Sequence, residues 1–229
     1  MPVLDRSVLA CPTLEAARAL LGASLVREDA TGRRVARVVE VEAYIGEADR
    51  ASHARFGPTD RNRIMYGRPG LAYVYLVYGM HDCLNVVTEP EGMPAAVLIR
   101  AVEPLEGIEL MRSARVARLA RGHQTTEAVT RHVGRLSRLP GELIASGPGL
   151  VGAAFGLDRS WSGVDLCDQT SVLRLEPPPR LADRVAILAV PRVGIAYADE
   201  PWTTVPWRLL LAASPAVSRP RPPVPRLDE

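Results

Sequence analysis

The stretch 70-GLAYVYLVYGMHDCLNVV-87 decides how the rest of the chain is read. Up to Tyr78 it is rich in β-branched and aromatic residues, the composition of a strand. Gly79 supplies a turn and Cys83–Thr88 reads as the returning strand, so the stretch is a β-hairpin. It holds Tyr73, Tyr75 and Tyr78, three of the chain's six tyrosines, with Tyr66 close by. A period of two puts Tyr73 and Tyr75 on one face. Tyr78, Gly79, Met80 and His81 fall at the tip. Hairpin tips are normally polar, so a tyrosine and a methionine there leave two readings open. The tip is an apolar wedge with something to enter, or it folds back onto its own core.

Upstream, Val35–Tyr44 alternates as a strand. Val35, Val39, Val41 and Ala43 share one face, interrupted by Arg37, and Glu40, Glu42 and Tyr44 share the other. Two neighbouring carboxylates usually mark a solvated face; the tyrosine and the apolar setting favour a pocket floor. Downstream, Ala95–Val102 is a buried-type strand carrying Arg100, a charge that is costly in such a run unless paired. Glu42 or Glu40 is its natural partner. Pro104 is expected to end that strand.

Between these strands, Gly46–Pro69 reads as a long loop with a helical turn near Ala48–Ala54. It contains His53, Arg50, Arg55, Arg61, Arg63 and Arg68. Thr13–Leu21 reads as a helix with Thr13 as N-cap and Gly22 as the stop, Ala23–Glu28 as a strand and Thr31–Arg34 as a turn. Gly107–Arg121 reads as a helix on which Arg112, Arg115, Arg118 and Arg121 recur every third residue. That stripe is either a solvated face or a phosphate track. Ser146–Gly149 is a turn before a helical segment, Leu150–Phe155. Val172–Leu175, Val185–Pro191 and Val193–Tyr197 are further strand candidates, Pro177–Pro179 is a stiff linker, and the proline-rich Ser214–Glu229 reads as a flexible tail.

A chain of 229 residues with 47% apolar content suits one large domain with a substantial core. No run of 18 apolar residues suggests a transmembrane helix, and MPVLDRSVLACPTLEA lacks the pattern of a secretory signal. Cys11, Cys83 and Cys167 are odd in number and widely spaced, which fits reduced cytoplasmic thiols rather than zinc ligands or disulfides. The net charge of +2 does not by itself demand a polyanionic partner. Every basic side chain other than histidine is arginine; there is no lysine.

The series VEVEAYIGEADRASH, DRNRIMYGRPGLAYVYLVYGMHDCLNVV, VLIRAVEPLEG, SGPG and PRVGIAY resembles the alkyladenine (3-methyladenine) DNA glycosylases, over about residues 20 to 207. The resemblance implies an α+β fold: a single mixed domain, residues 1–213, around a curved antiparallel sheet with a protruding hairpin. It implies a monomeric enzyme, cytoplasmic and used at the nucleoid, that binds duplex DNA containing damaged purines. The enzyme would rotate the lesion out of the stack and hydrolyse its N-glycosidic bond, with no metal, cofactor or membrane involved. By the motif match Glu42 activates water and Arg100 holds that water and carboxylate. Tyr44 and Tyr75 sandwich the flipped base with His53, and Asn85 at the pocket floor obstructs the exocyclic amine of guanine. Tyr78 fills the gap left in the duplex, flanked by Met80 and His81. Two positions depart from the family's usual residues: Leu150 follows SGPG where lysine is common, and His81 stands where tyrosine is common.

Physical chemistry makes these roles coherent. Water cannot reach the sugar of a stacked base, so eversion must precede hydrolysis, at a cost of a few kcal/mol. Stacking on aromatic faces returns about 1–3 kcal/mol per base. With no lysine, a Schiff-base mechanism would fall to the amino terminus, Pro2 if Met1 is removed, where no pair of carboxylates stands by to assist; water is the expected nucleophile. Two rival classes use other parts of the pattern. An inert lesion binder would need neither Glu42 nor Arg100, and a hydrolase of free nucleosides would need no wedge.

Overall fold

The structure, a computed structural model, describes residues 2–120, 125–178 and 186–221. Among these the chain forms β1 (Ser24–Asp29), β2 (Gly32–Ile45), β3 (Ala72–Val77), β4 (His81–Val87), β5 (Ala95–Glu106), β6 (Leu173–Glu176), β7 (Ile187–Val190) and β8 (Arg208–Leu211). Four α-helices accompany them: α1 (Thr13–Leu20), α2 (Ile108–Ala120), α3 (Thr126–Ser137) and α4 (Pro148–Ala154). All strands pair antiparallel in one sheet, in the order β3-β4-β5-β2-β1-β6, with β8 on β2 and β7 on β8. The expected α+β fold is what is observed, with the hairpin at the sheet's edge.

β2 is the spine. β5 runs along one edge; on the other edge β1 pairs with the first half and β8 with Glu40–Glu42. Register shifts on both sides of Glu40 mark this change of partner, and they let the consecutive Val38 and Val39 both enter the core. Burying each such aliphatic side chain contributes roughly 1.5–3 kcal/mol. α4 packs on β4 and β5, and α2 packs on α4, so the base of the hairpin rests on two helix layers.

Several local expectations are corrected. β5 runs through Pro104 to Glu106. Val102 donates outward to Ala145, and Pro104 has the same parity, so its missing N–H lies on the edge away from β2, where a proline costs little. Thr13 is the first helical residue after Pro12 rather than the cap; its N–H and hydroxyl both donate to Glu89 Oε1 (3.1 and 2.6 Å). A distant carboxylate thus serves the positive end of α1. The long loop carries two 3₁₀ turns, His53–Phe56, which overlaps the end of the expected turn near Ala48–Ala54, and Arg63–Tyr66; ahead of the first, Ser52 N–H donates to the Asp49 carbonyl (2.8 Å). β2 begins at Gly32, inside the expected turn, and β4 begins at His81. Val193–Tyr197 is no strand but leads into the 3₁₀ turn Ala196–Ala198.

The tail is also corrected at its start. Ala216, Val217 and Ser218 are buried, and Ser214–Ser218 packs against β2 and β5. Arg121, Pro179, Val185 and the tail from residue 222 lie outside the described residues.

Candidate active site

Strand register builds the site. Tyr73 on β3 pairs with Asn85 on β4, Asn85 with Leu98 on β5, Leu98 with Glu42 on β2, and Glu42 with Arg208 on β8. Directly opposed residues of antiparallel strands point to the same side. One row of side chains therefore crosses five strands, and Tyr44, Tyr75 and Arg100 lie two residues from members of it. A cavity of about 470 Å³ opens over this row. Glu42, Tyr44, His53, Tyr75, Tyr78, Asn85 and Arg100, seven of the nine expected site residues, line it together.

Glu42 is fully buried, and its carboxylate is held from three directions. Oε1 accepts from the Val193 N–H (2.7 Å) and lies 3.2 Å from Arg100 Nη1, while Oε2 accepts from the Tyr44 hydroxyl (2.9 Å). The choice of partner for Arg100 resolves to both carboxylates, since its Nε donates to Glu40 Oε1 (3.0 Å). Burial alone would lower the Arg100 pKa, but the Glu42 and Glu40 carboxylates raise it overall. Arg100 is therefore a fixed cation.

Glu40 is occupied differently. Its Oε1 accepts from Arg100 Nε, Arg208 Nε (2.6 Å) and Ser218 Oγ (2.9 Å), and its Oε2 from the Ser218 N–H (2.6 Å). Four donors consume this carboxylate, and it does not line the cavity. Glu42 does.

The cavity walls are neutral aromatics. Burial, followed by the neighbouring Glu42 charge, pushes the Tyr44 phenol well above its ordinary pKa, and burial raises Tyr75 likewise. His53 Nδ1 pairs with the Tyr73 hydroxyl (2.9 Å), and its ring stands edge-on to Tyr75 at 4.4 Å. Burial, with the charges of Arg61 and Arg55, lowers its pKa to about 4, so the imidazole is neutral at physiological pH. Asn85 is pinned at the floor, its Nδ2 donating to the Tyr73 and Cys83 carbonyls (3.0 and 3.3 Å).

The hairpin tip settles the choice left open by the sequence. Tyr78 is 83% exposed and Met80 60%, so the tip does not fold back onto the core. Met80 and His81 stand apart from the main cavity and border a second one of about 380 Å³, with Arg118 and Leu150.

Sequence reasoning missed Tyr73, Leu98, Tyr197 and the backbone of Val193 as lining groups. It also missed Arg192, whose two Nη atoms grip Asp49 (2.6 and 2.9 Å) while its guanidinium stacks on Tyr44 at 4.8 Å. The alternation that flagged Tyr75 contained the signal for Tyr73; Arg192 and Asp49 are 143 positions apart and carried none.

The described arginines of the α2 stripe, Arg112, Arg115 and Arg118, are bonded within the protein rather than forming a freely solvated face. Arg112 is bonded to the carbonyls of Leu136 and Leu139, Arg115 donates to the Ile144 carbonyl, and Arg118 reaches the hairpin. The loop arginines Arg50, Arg63 and Arg68 remain largely exposed, the first two beside the surface carboxylates of Asp199 and Asp60 and the third beside the mostly buried Asp165.

Comparison with known proteins identifies the family. The family model described as methylpurine-DNA glycosylase matches residues 7–215. A protein of Methanocella arvoryzae named "Putative 3-methyladenine DNA glycosylase" is 47% identical over 97% of this chain and 98% of its own length. Proteins of the same name from Myxococcus xanthus (42%, covering 96% of this chain and 95% of the relative) and Chlorobium luteolum (40%, covering 97% and 100%) are similarly close. The chain belongs to the methylpurine-DNA glycosylase family.

Proposed function

We propose that this DNA glycosylase for alkylated bases works by everting a damaged purine from duplex DNA into the aromatic cavity and cleaving its glycosidic bond with water. The observation that carries the reading is the Glu42 carboxylate at the floor of a cavity walled by Tyr44, Tyr75 and His53. Glu42 accepts the proton as a water oxygen bonds to C1′, and the C1′–N electron pair leaves with the base. Alkylation that makes the purine cationic or a good leaving group lowers the barrier, so selectivity rests on chemistry as well as fit. Arg100 holds the Glu42 carboxylate in place. Tyr78 occupies the space vacated in the stack, which discourages return of the base.

No lysine exists to form a Schiff base, and no pair of carboxylates stands by in the sequence around the amino terminus, the remaining candidate, so the expected product is an intact strand with an abasic site. Incubation with duplexes carrying one defined lesion each should release free base without strand scission, and borohydride during turnover should trap no covalent adduct. Equal activity on the free nucleoside would favour a nucleoside hydrolase instead. Specific lesion binding without any base release would mark an inert binder.

Asn85 acts at the floor by exclusion. Its amide donors are spent on backbone carbonyls, so the side chain is held rigidly where an extra exocyclic group would arrive. Asn85→Ser should raise release of guanine relative to adenine, by roughly 10-fold if the clash costs about 1.4 kcal/mol. An unchanged guanine-to-adenine ratio would remove this role.

A further inference from the structure

The wedge has a mechanical problem. Tyr78 adopts φ +51° and Gly79 φ +71°, with the Met80 N–H donating back to the Val77 carbonyl (3.1 Å). Positive φ at both central residues matches the twist of a tight hairpin, but for an aromatic residue it costs on the order of 1 kcal/mol or more. A strained, exposed tip that pushes into a base stack needs its base fixed.

Arg118, on α2, meets that need. Its Nη2 donates to the Met80 carbonyl (3.2 Å) and forms an ion pair with Asp82, which is buried on the returning strand. One guanidinium thus joins the helix layer to the residues on either side of His81. Beneath them α4 presses directly on the strand: a Cβ at Gly152 would lie 2.0 Å from the Asp82 carbonyl oxygen. On the opposite strand Arg61 Nη2 reaches the Leu76 carbonyl (3.3 Å).

We propose that Arg118, through Asp82, is a positioning residue for the wedge, locking the hairpin against α2 so that Tyr78 is presented rigidly to the duplex. This rests on the reading of Tyr78 as the wedge. The alternative for an arginine beside a DNA-facing tip is a direct phosphate contact, and the two separate cleanly.

The test compares Arg118→Met, which keeps the apolar stem, Asp82→Asn, which leaves every arginine in place, and Tyr78→Ser. Single-turnover base release is measured from a lesion in matched duplex and from the same lesion in single-stranded DNA, with thermal unfolding as the fold control. Arg118→Met and Asp82→Asn should each lose roughly 10-fold on matched duplex, the scale of one charge-assisted contact, and stay within about 2-fold on single strands. The log–log salt slope of binding should not move. A slope smaller by about 0.9 in Arg118→Met, with Asp82→Asn behaving as the parent, would make Arg118 a phosphate contact and overturn the proposal. Equal losses on both substrates would reduce the pair to general stability and also overturn it. Either variant alone decides if the other fails to fold. Tyr78→Ser separates the two levels. If it too loses selectively on matched duplex while Arg118→Met and Asp82→Asn do not, only the positioning role fails; if it loses equally on both substrates, the wedge reading and this proposal fall together.

Discussion

Glu42→Gln should lose base release by roughly 10²–10⁴-fold, the range for removal of a general base, while lesion-containing duplex is still bound. The expectation comes from what the two carboxylates of β2 have left to do. Glu40 accepts four hydrogen bonds and does not line the cavity, so it is not placed to take a proton from water there. Glu42 accepts one hydrogen bond on each oxygen, with Arg100 beside the first, and it lines the cavity. A glutamine fits the same space. Its carbonyl oxygen can keep the Val193 N–H and Arg100, and its amide can donate to the Tyr44 oxygen, so the pocket survives while the base is lost. Release is read under single-turnover conditions and binding by titration of lesion duplex. Should Glu42→Gln remain active, the carboxylate has been misassigned.

Much of this was legible in the sequence because it depends on local period. The hairpin, β2 and β5 are apolar runs or alternations that only strands explain, and a lone arginine within β5 required a carboxylate partner nearby. Spacing by i, i+2 puts Glu42 with Tyr44 and Tyr73 with Tyr75 once those strands exist, whereas the choice of Glu42 and of Asn85 as site residues came from the family resemblance. What was not legible is long-range. Nothing local distinguishes Glu40 from Glu42, which share a face; the pairing of β8 and the arrival of Ser218 distinguish them. Arg112 and Arg115 look solvated by spacing, yet they are spent on backbone carbonyls beyond their own helix, those of Leu136, Leu139 and Ile144. A backbone N–H such as that of Val193 has no sequence signature at all.

The segment beginning at Ser214 is the instructive misreading, because proline content concealed a structural part. Truncation after Ala213 should abolish both cooperative folding and activity. Removal of Ser218 takes two of four donors from Glu40, a carboxylate with no access to water. Each hydrogen bond to a charged group contributes about 1.5–3 kcal/mol, and a buried acceptor left unmet costs more. Arg100 Nη2 also loses its contact with Ser218 Oγ (3.3 Å), and Ser146 Oγ loses the Val217 carbonyl (3.1 Å). Ala216 and Val217 leave the interior as well. Together these losses reach several kcal/mol, comparable to the 5–15 kcal/mol that holds a typical domain folded. The consequence for catalysis is direct, because the same Arg100 that Ser218 touches faces Glu42. Ser218→Ala is the milder companion: it keeps the N–H to Glu40, so it should fold with a lowered melting temperature and retain base release. The truncated chain is assayed by thermal unfolding and base release side by side with it. A truncated protein that melts cooperatively near the parental temperature and still excises lesions would show that residues from Ser214 onward are the dispensable tail their composition suggests.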